Sequence, residues 1–96
     1  MDKPLFIPLR GTYYDAFNEG RKTDEYRLYG PRWNERTCHL GRPVVISRGY
    51  GKQQRRTGHV ASFRQSRELT PGFRDCYPHA GPKAVMAVIT LKLDPV

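Results

Sequence analysis

Alternation of side chains along the backbone is clearest near the end of the chain. Over residues 84–93, Val85, Ala87, Ile89, Leu91 and Leu93 share one face, and Met86, Val88, Thr90 and Lys92 share the other. That period of two predicts a strand. Leu5-Phe6-Ile7-Pro8-Leu9 is a shorter run of β-formers whose proline confines it to an edge or a strand end. Val44-Val45-Ile46-Ser47 predicts a buried strand after the turn Leu40-Gly41-Arg42-Pro43. Residues 23–29 and 57–64 alternate as well, the latter with Val60 and Ser62 facing away from Ala61 and Phe63. A helical spacing of Tyr13, Ala16 and Phe17 predicts a short helix over residues 13–19, capped by Thr12, with Asp15 in its first turn and Gly20 in the left-handed position after it. Residues 32–38 read as one helical turn or a loop, with Trp33 as a packed lid or core-edge residue. Residues 65–82 read as irregular and proline-punctuated. The expected class is α+β: about five to six strands and one or two short helices, the sheet curling into a small β-barrel.

Length and charge narrow this picture. The 96 residues fit one domain, 1–96, with one small core. Apolar residues at 38% and charged ones at 27% are those of a folded chain. The net charge is +8, and 12 of the 17 cations are arginine. Arginine carries a planar fork for phosphate and a flat face for stacking on bases, so the expected partner class is nucleic acid. No window reaches the roughly 18 apolar residues of a membrane span, and residues 1–4 hold no signal-like core. A soluble, cytoplasmic monomer is expected, away from membranes, with Cys38 and Cys76 as free thiols.

The densest charge chemistry lies in Gly20-Arg21-Lys22-Thr23-Asp24-Glu25-Tyr26-Arg27. In a strand over residues 23–29, Thr23, Glu25, Arg27 and Tyr29 share a face, and Asp24, Tyr26 and Leu28 take the other. A carboxylate and a guanidinium then stand side by side, with Lys22 at the junction leading into the strand. One reading is an exposed ion pair worth about 0–1 kcal/mol. The other is a polar cleft in which Lys22 and Arg27 hold phosphate or a base edge while Glu25 orients them. As a base, Lys22 would need a lowered pKa.

A first strand, a short helix ending in Gly20-x-Lys22-x-x-Glu25-x-Arg27, then Leu40-Gly41 before Val44-Val45-Ile46, and Gly58-His59-Val60 opening the next strand together resemble the ASCH domain family, small barrels of the PUA-like superfamily. The resemblance spans roughly residues 5–93. It implies a PUA-like barrel that binds RNA or modified nucleosides in a cleft beside that motif. Some members of the family are similar to ribonucleases or to amidohydrolases of acylated cytidine, and in the latter a threonine nucleophile works with the lysine and a later glutamate. Here the aligned position holds Glu25, Thr23 lies two positions earlier on the same face, and residues 58–64 hold no acid. The resemblance therefore implies recognition before catalysis. Were the protein an enzyme, Lys22 and Glu25 would be its catalytic residues.

Around this cleft, residues 49–56 predict a basic hairpin loop. Arg48, Lys52, Arg55 and Arg56 would track a phosphate backbone, and Tyr50 would stack on an unpaired base. The plainer reading is a solvated hairpin. Lys22, Thr23, Glu25, Arg27, Arg48, Tyr50, Lys52, Arg55 and Arg56 thus form the expected binding set, with Trp33, Tyr13, Tyr29 and Tyr77 as further aromatics for a stacking pocket or the core. Cys38-His39 and Cys76-x-x-His79 supply zinc-ligand types, but without the close-set pairs of structural zinc sites, so no metal and no cofactor is expected. His39, His59 and His79 titrate near neutrality, but no spacing groups them. The functional expectation is binding of RNA or a nucleotide-like ligand. A small hydrolase of RNA or modified nucleosides, or a protein-interaction module with incidental charge, are the alternatives.

Overall fold

A computed structural model describes residues 3–67, 77, 79 and 84–95. Five strands and one helix follow in the order β1 (Leu5–Leu9), α1 (Gly11–Asn18), β2 (Asp24–Leu28), β3 (Pro43–Arg48), β4 (Arg55–Ser66) and β5 (Met86–Leu93). They make a single sheet in the spatial order β1-β3-β4-β5-β2, curled into a half-barrel. β1 and β3 run parallel, and every other pairing is antiparallel.

The inner face carries the core. Leu5, Ile7 and Leu9 of β1 alternate inward, joined by Val44 and Ile46, Val60, and Ala87, Ile89 and Leu91. Tyr14 and Phe17 of α1, with Trp33 and Cys38, complete the same cluster. β5 is buried on both faces, as its sequence requires. Met86 and Val88 lie on its outer side in a second cluster with Tyr26, Tyr77 and Ala84.

Four local expectations need correction. The helix begins at Gly11, with Arg10 at the capping position and no side-chain cap, so Thr12 lies inside the first turn and Asp15 beyond it. Asp15 instead pairs with Arg48 at 3.3 Å. Tyr14, one position along from Tyr13, is the buried tyrosine of the helix. The hairpin after β3 is shorter than residues 49–56, because Arg55 and Arg56 already belong to β4. Finally, β4 does not alternate uniformly. Its pairing with β5 shifts between Val60 and Ser62, so Ala61 is an extra residue, and such a bulge reverses the facing of everything after it. Val60 and Phe63 consequently reach the same core cluster.

The helix end follows expectation. Gly20 takes φ 77°, its N–H bonds to the Phe17 carbonyl at 3.1 Å, and the Arg21 N–H reaches the Ala16 carbonyl at 2.9 Å. These are the paired bonds of a Schellman closure. They turn the chain sharply, so that Lys22 is delivered beside the start of β2.

Residues 34–38 form a single hydrogen-bonded turn in which the Asn34 side chain accepts from the Arg36 and Thr37 N–H groups at 2.9 and 3.1 Å. That turn buries Cys38, whose thiol lies 3.5 Å from the Thr37 hydroxyl. Burial pushes the Cys38 thiol above its ordinary value. In a Cys76→Ser background, a thiol reagent should therefore label Cys38 only after denaturation; rapid labelling of the native protein would contradict this burial.

Candidate functional site: an ion cluster and a hollow at the sheet seam

β1 and β2 are the two edges of the sheet, and its curl brings them face to face. A side chain bridges them. Arg27 of β2 donates through Nη2 to the Pro8 carbonyl of β1 at 2.7 Å. Pro8 suits this edge because it has no N–H to leave unpaired.

Glu25 and Arg27 share the inner face of β2, as the alternation predicts, and both are held firmly. Glu25 Oε2 accepts from Arg27 Nε at 2.9 Å and lies 2.8 Å from Nη2, while Oε1 lies 3.8 Å from Lys22 Nζ. The Glu25 side chain is only 6% exposed, against 17% for each cation, so this is a buried cluster rather than a surface pair. Aromatic rings surround both cations. Arg27 lies 4.8 Å from the Trp33 ring centre, and Lys22 Nζ lies 4.8 to 5.4 Å from those of Tyr26, Tyr13 and Phe17. Ring faces are negative, so these contacts partly replace the water lost on burial.

Beside the cluster lies a hollow of about 290 Å³, lined by Pro8, Leu9, Arg10, Tyr13, Glu25, Arg27, Tyr50 and Tyr77. Tyr50 is 82% exposed, yet its loop is tied down on several sides. The Gly51 carbonyl accepts from Ser47 Oγ at 2.9 Å and Arg55 Nε at 3.1 Å, and the Gly49 N–H reaches the Leu9 carbonyl at 2.7 Å. The wall carries Arg10 and Arg27 against the single carboxylate of Glu25, with Lys22 behind it. The local charge is positive, with tyrosine faces on several sides.

The expected binding residues do not all converge here. Glu25, Arg27 and Tyr50 line the seam hollow, and Lys22 reaches it through Glu25. Thr23 lies outside β2, is exposed, and lines a different hollow together with Lys22 and Arg56. Arg56 donates to Asn18 Oδ1 and the Asp94 carbonyl, at 2.9 and 2.7 Å. Arg48 is turned against Asp15 of the helix. Arg55 lies 5.0 Å from the Phe6 ring centre, and Lys52 is exposed on the loop. The cations of residues 48–56 therefore do not form one rim.

Of the further aromatics, Tyr13 and Tyr77 line the hollow, while Trp33 is buried behind Arg27. Tyr29 packs against Phe63 and donates to Glu35, which also accepts from Gln65 Nε2 at 2.6 Å. These donors hold the Glu35 carboxyl below its usual value, and the same contact raises the Tyr29 phenol. Arg10 was absent from the residues expected for the site, although its place between a strand and a helix is where a side chain reaches a sheet end.

Among the described residues, no group of three or more His, Cys, Asp or Glu could hold a metal ion. Cys76 lies outside the described residues. Nor is any helix among them long and apolar enough to cross a membrane. No family model matches the chain, and no curated protein matches it.

Proposed function

We propose that the seam hollow binds an unpaired base or nucleotide-like unit of RNA, in a barrel of the PUA-like, ASCH type. The observation that carries this reading is the lining itself: Arg10 and Arg27 beside Glu25, and Tyr13, Tyr50 and Tyr77 around them. Bases stack on aromatic and guanidinium faces, and phosphate is drawn to the positive wall. At about 290 Å³ the hollow sits at the lower end of the roughly 300–1,000 Å³ usual for ligand sites. It suits one base rather than a helix of nucleic acid. The Gly20-x-Lys22-x-x-Glu25-x-Arg27 resemblance and the net charge of +8 support the same reading.

Hydrolysis is less favoured, because both oxygens of Glu25 already face cations of the chain itself. Labelled single-stranded RNA tests the proposal. Binding should weaken steeply with salt, as phosphate contacts require, and Tyr50→Ala should weaken it about tenfold, the scale of one lost stack. Because Tyr50 is 82% exposed, the variant should fold normally, and Leu40→Ala, exposed elsewhere, should bind as wild type. Salt-insensitive binding, or an unaffected Tyr50→Ala, would refute it. Lys22-dependent turnover of RNA or acetylated cytidine would replace recognition with catalysis.

A further inference from the structure

We propose a second binding site, for a small organic anion with an apolar body, in the hollow between the C-terminal end of α1 and the end of β5. This hollow measures about 310 Å³ and shares no lining residue with the one at the seam. Its apolar surface comes from Phe17, Leu91 and Leu93, and its charge from Lys22, Arg56 and Lys92. Its remaining lining, Asn18, Gly20 and Thr23, is neutral; Lys22 is already paired with Glu25 behind the wall, so the charge offered to a ligand comes from Arg56 and Lys92.

Arg56 is the anchor. Its two terminal nitrogens are fixed by Asn18 Oδ1 and the Asp94 carbonyl. A guanidinium has five N–H donors, so this orientation leaves donors for a ligand while losing little side-chain freedom on binding. The helix end nearby would ordinarily repel an anion through its carbonyls. Here those carbonyls are occupied: the Ala16 oxygen accepts from the Arg21 and Lys22 N–H groups, and the Phe17 oxygen from that of Gly20. An apolar floor under a fixed guanidinium and the Lys92 ammonium fits a carboxylate, sulfonate or phosphate head carried on a flat or aliphatic body. A bare inorganic anion would leave the floor uncovered.

The test uses the full chain and 8-anilinonaphthalene-1-sulfonate as probe, followed by amide chemical shifts and by fluorescence. Shifts should concentrate at Phe17, Asn18 and residues 91–93 in a spectrum that stays dispersed, and decanoate should displace the probe where acetate does not. Lys92→Glu should weaken binding by about tenfold or more, the scale of a lost charge-assisted contact. Lys3→Glu makes the same change in net charge elsewhere and should leave binding unchanged. Shifts centred on other residues, equal loss in the two variants, or equal competition by acetate would each overturn the proposal. None of these results depends on whether RNA binds at the seam.

Discussion

Arg27→Ala should lower the free energy of unfolding by about 3 kcal/mol, within the roughly 3–5 kcal/mol found when one partner of a buried ion pair is removed. Three interactions disappear together. Glu25, 6% exposed, would keep only the more distant Lys22 at 3.8 Å. The Pro8 carbonyl would lose its 2.7 Å donor across the seam, and Trp33 would lose the nearer of the two guanidinium groups beside its ring. Small domains have only about 5–15 kcal/mol of stability in all, so the urea midpoint should fall by at least about 1 M. Replacing both residues, as Glu25→Leu with Arg27→Met, should cost less than the sum of the single changes, since the buried carboxylate leaves together with its nearest cation and only the more distant Lys22, held among aromatic rings, loses a partner. A loss below about 1 kcal/mol for Arg27→Ala would show that the cluster behaves as an exposed pair.

A second large effect is expected at Gly58, for a steric reason. A Cβ added there would lie 2.4 Å from the Lys92 carbonyl oxygen and 2.9 Å from Leu93 Cα. Both are backbone atoms of the paired strand, which cannot swing aside as a side chain can. Gly58→Ala should therefore cost about 2–3 kcal/mol, towards the upper end of overpacking penalties, and should speed amide exchange where β4 meets the end of β5. Gly51→Ala is the control. Its added Cβ meets nothing within 4 Å, and the change should stay within about 0.5 kcal/mol. Equal stability of the two variants would mean that β4 and β5 separate readily at this point.

These two positions also mark how far the sequence reveals the fold. Strands were legible wherever one face is buried, because alternation is then enforced residue by residue: Ala87, Ile89 and Leu91 fall on one apolar face by spacing alone, and they join the core. The side-by-side placement of Glu25 and Arg27 was legible for the same reason. Their role was not. The partner of Arg27 is a carbonyl 19 residues away, reached only because the sheet curls, and neither the Trp33 stack nor the part played by Arg10 follows from spacing along the chain. The bulge at Ala61 was equally hidden, since that stretch has neither a proline nor a glycine at the irregularity. Likewise, the hairpin arginines looked like one basic rim because they are neighbours in sequence. In a strand, Arg55 and Arg56 must point to opposite faces, and they join different surroundings.

Trp33 is the only tryptophan in the chain, and it sits against Arg27, whose side chain bridges the two edges of the sheet. The protein thus carries a built-in optical probe at its own closure. Any event that parts β1 from β2, whether a ligand entering the seam or the first step of unfolding, breaks the Arg27–Pro8 bond and so releases the guanidinium held beside the indole, which should alter its emission without any label. Seam opening and global unfolding can then be followed separately, the first by tryptophan fluorescence and the second by the far-ultraviolet signal of the sheet.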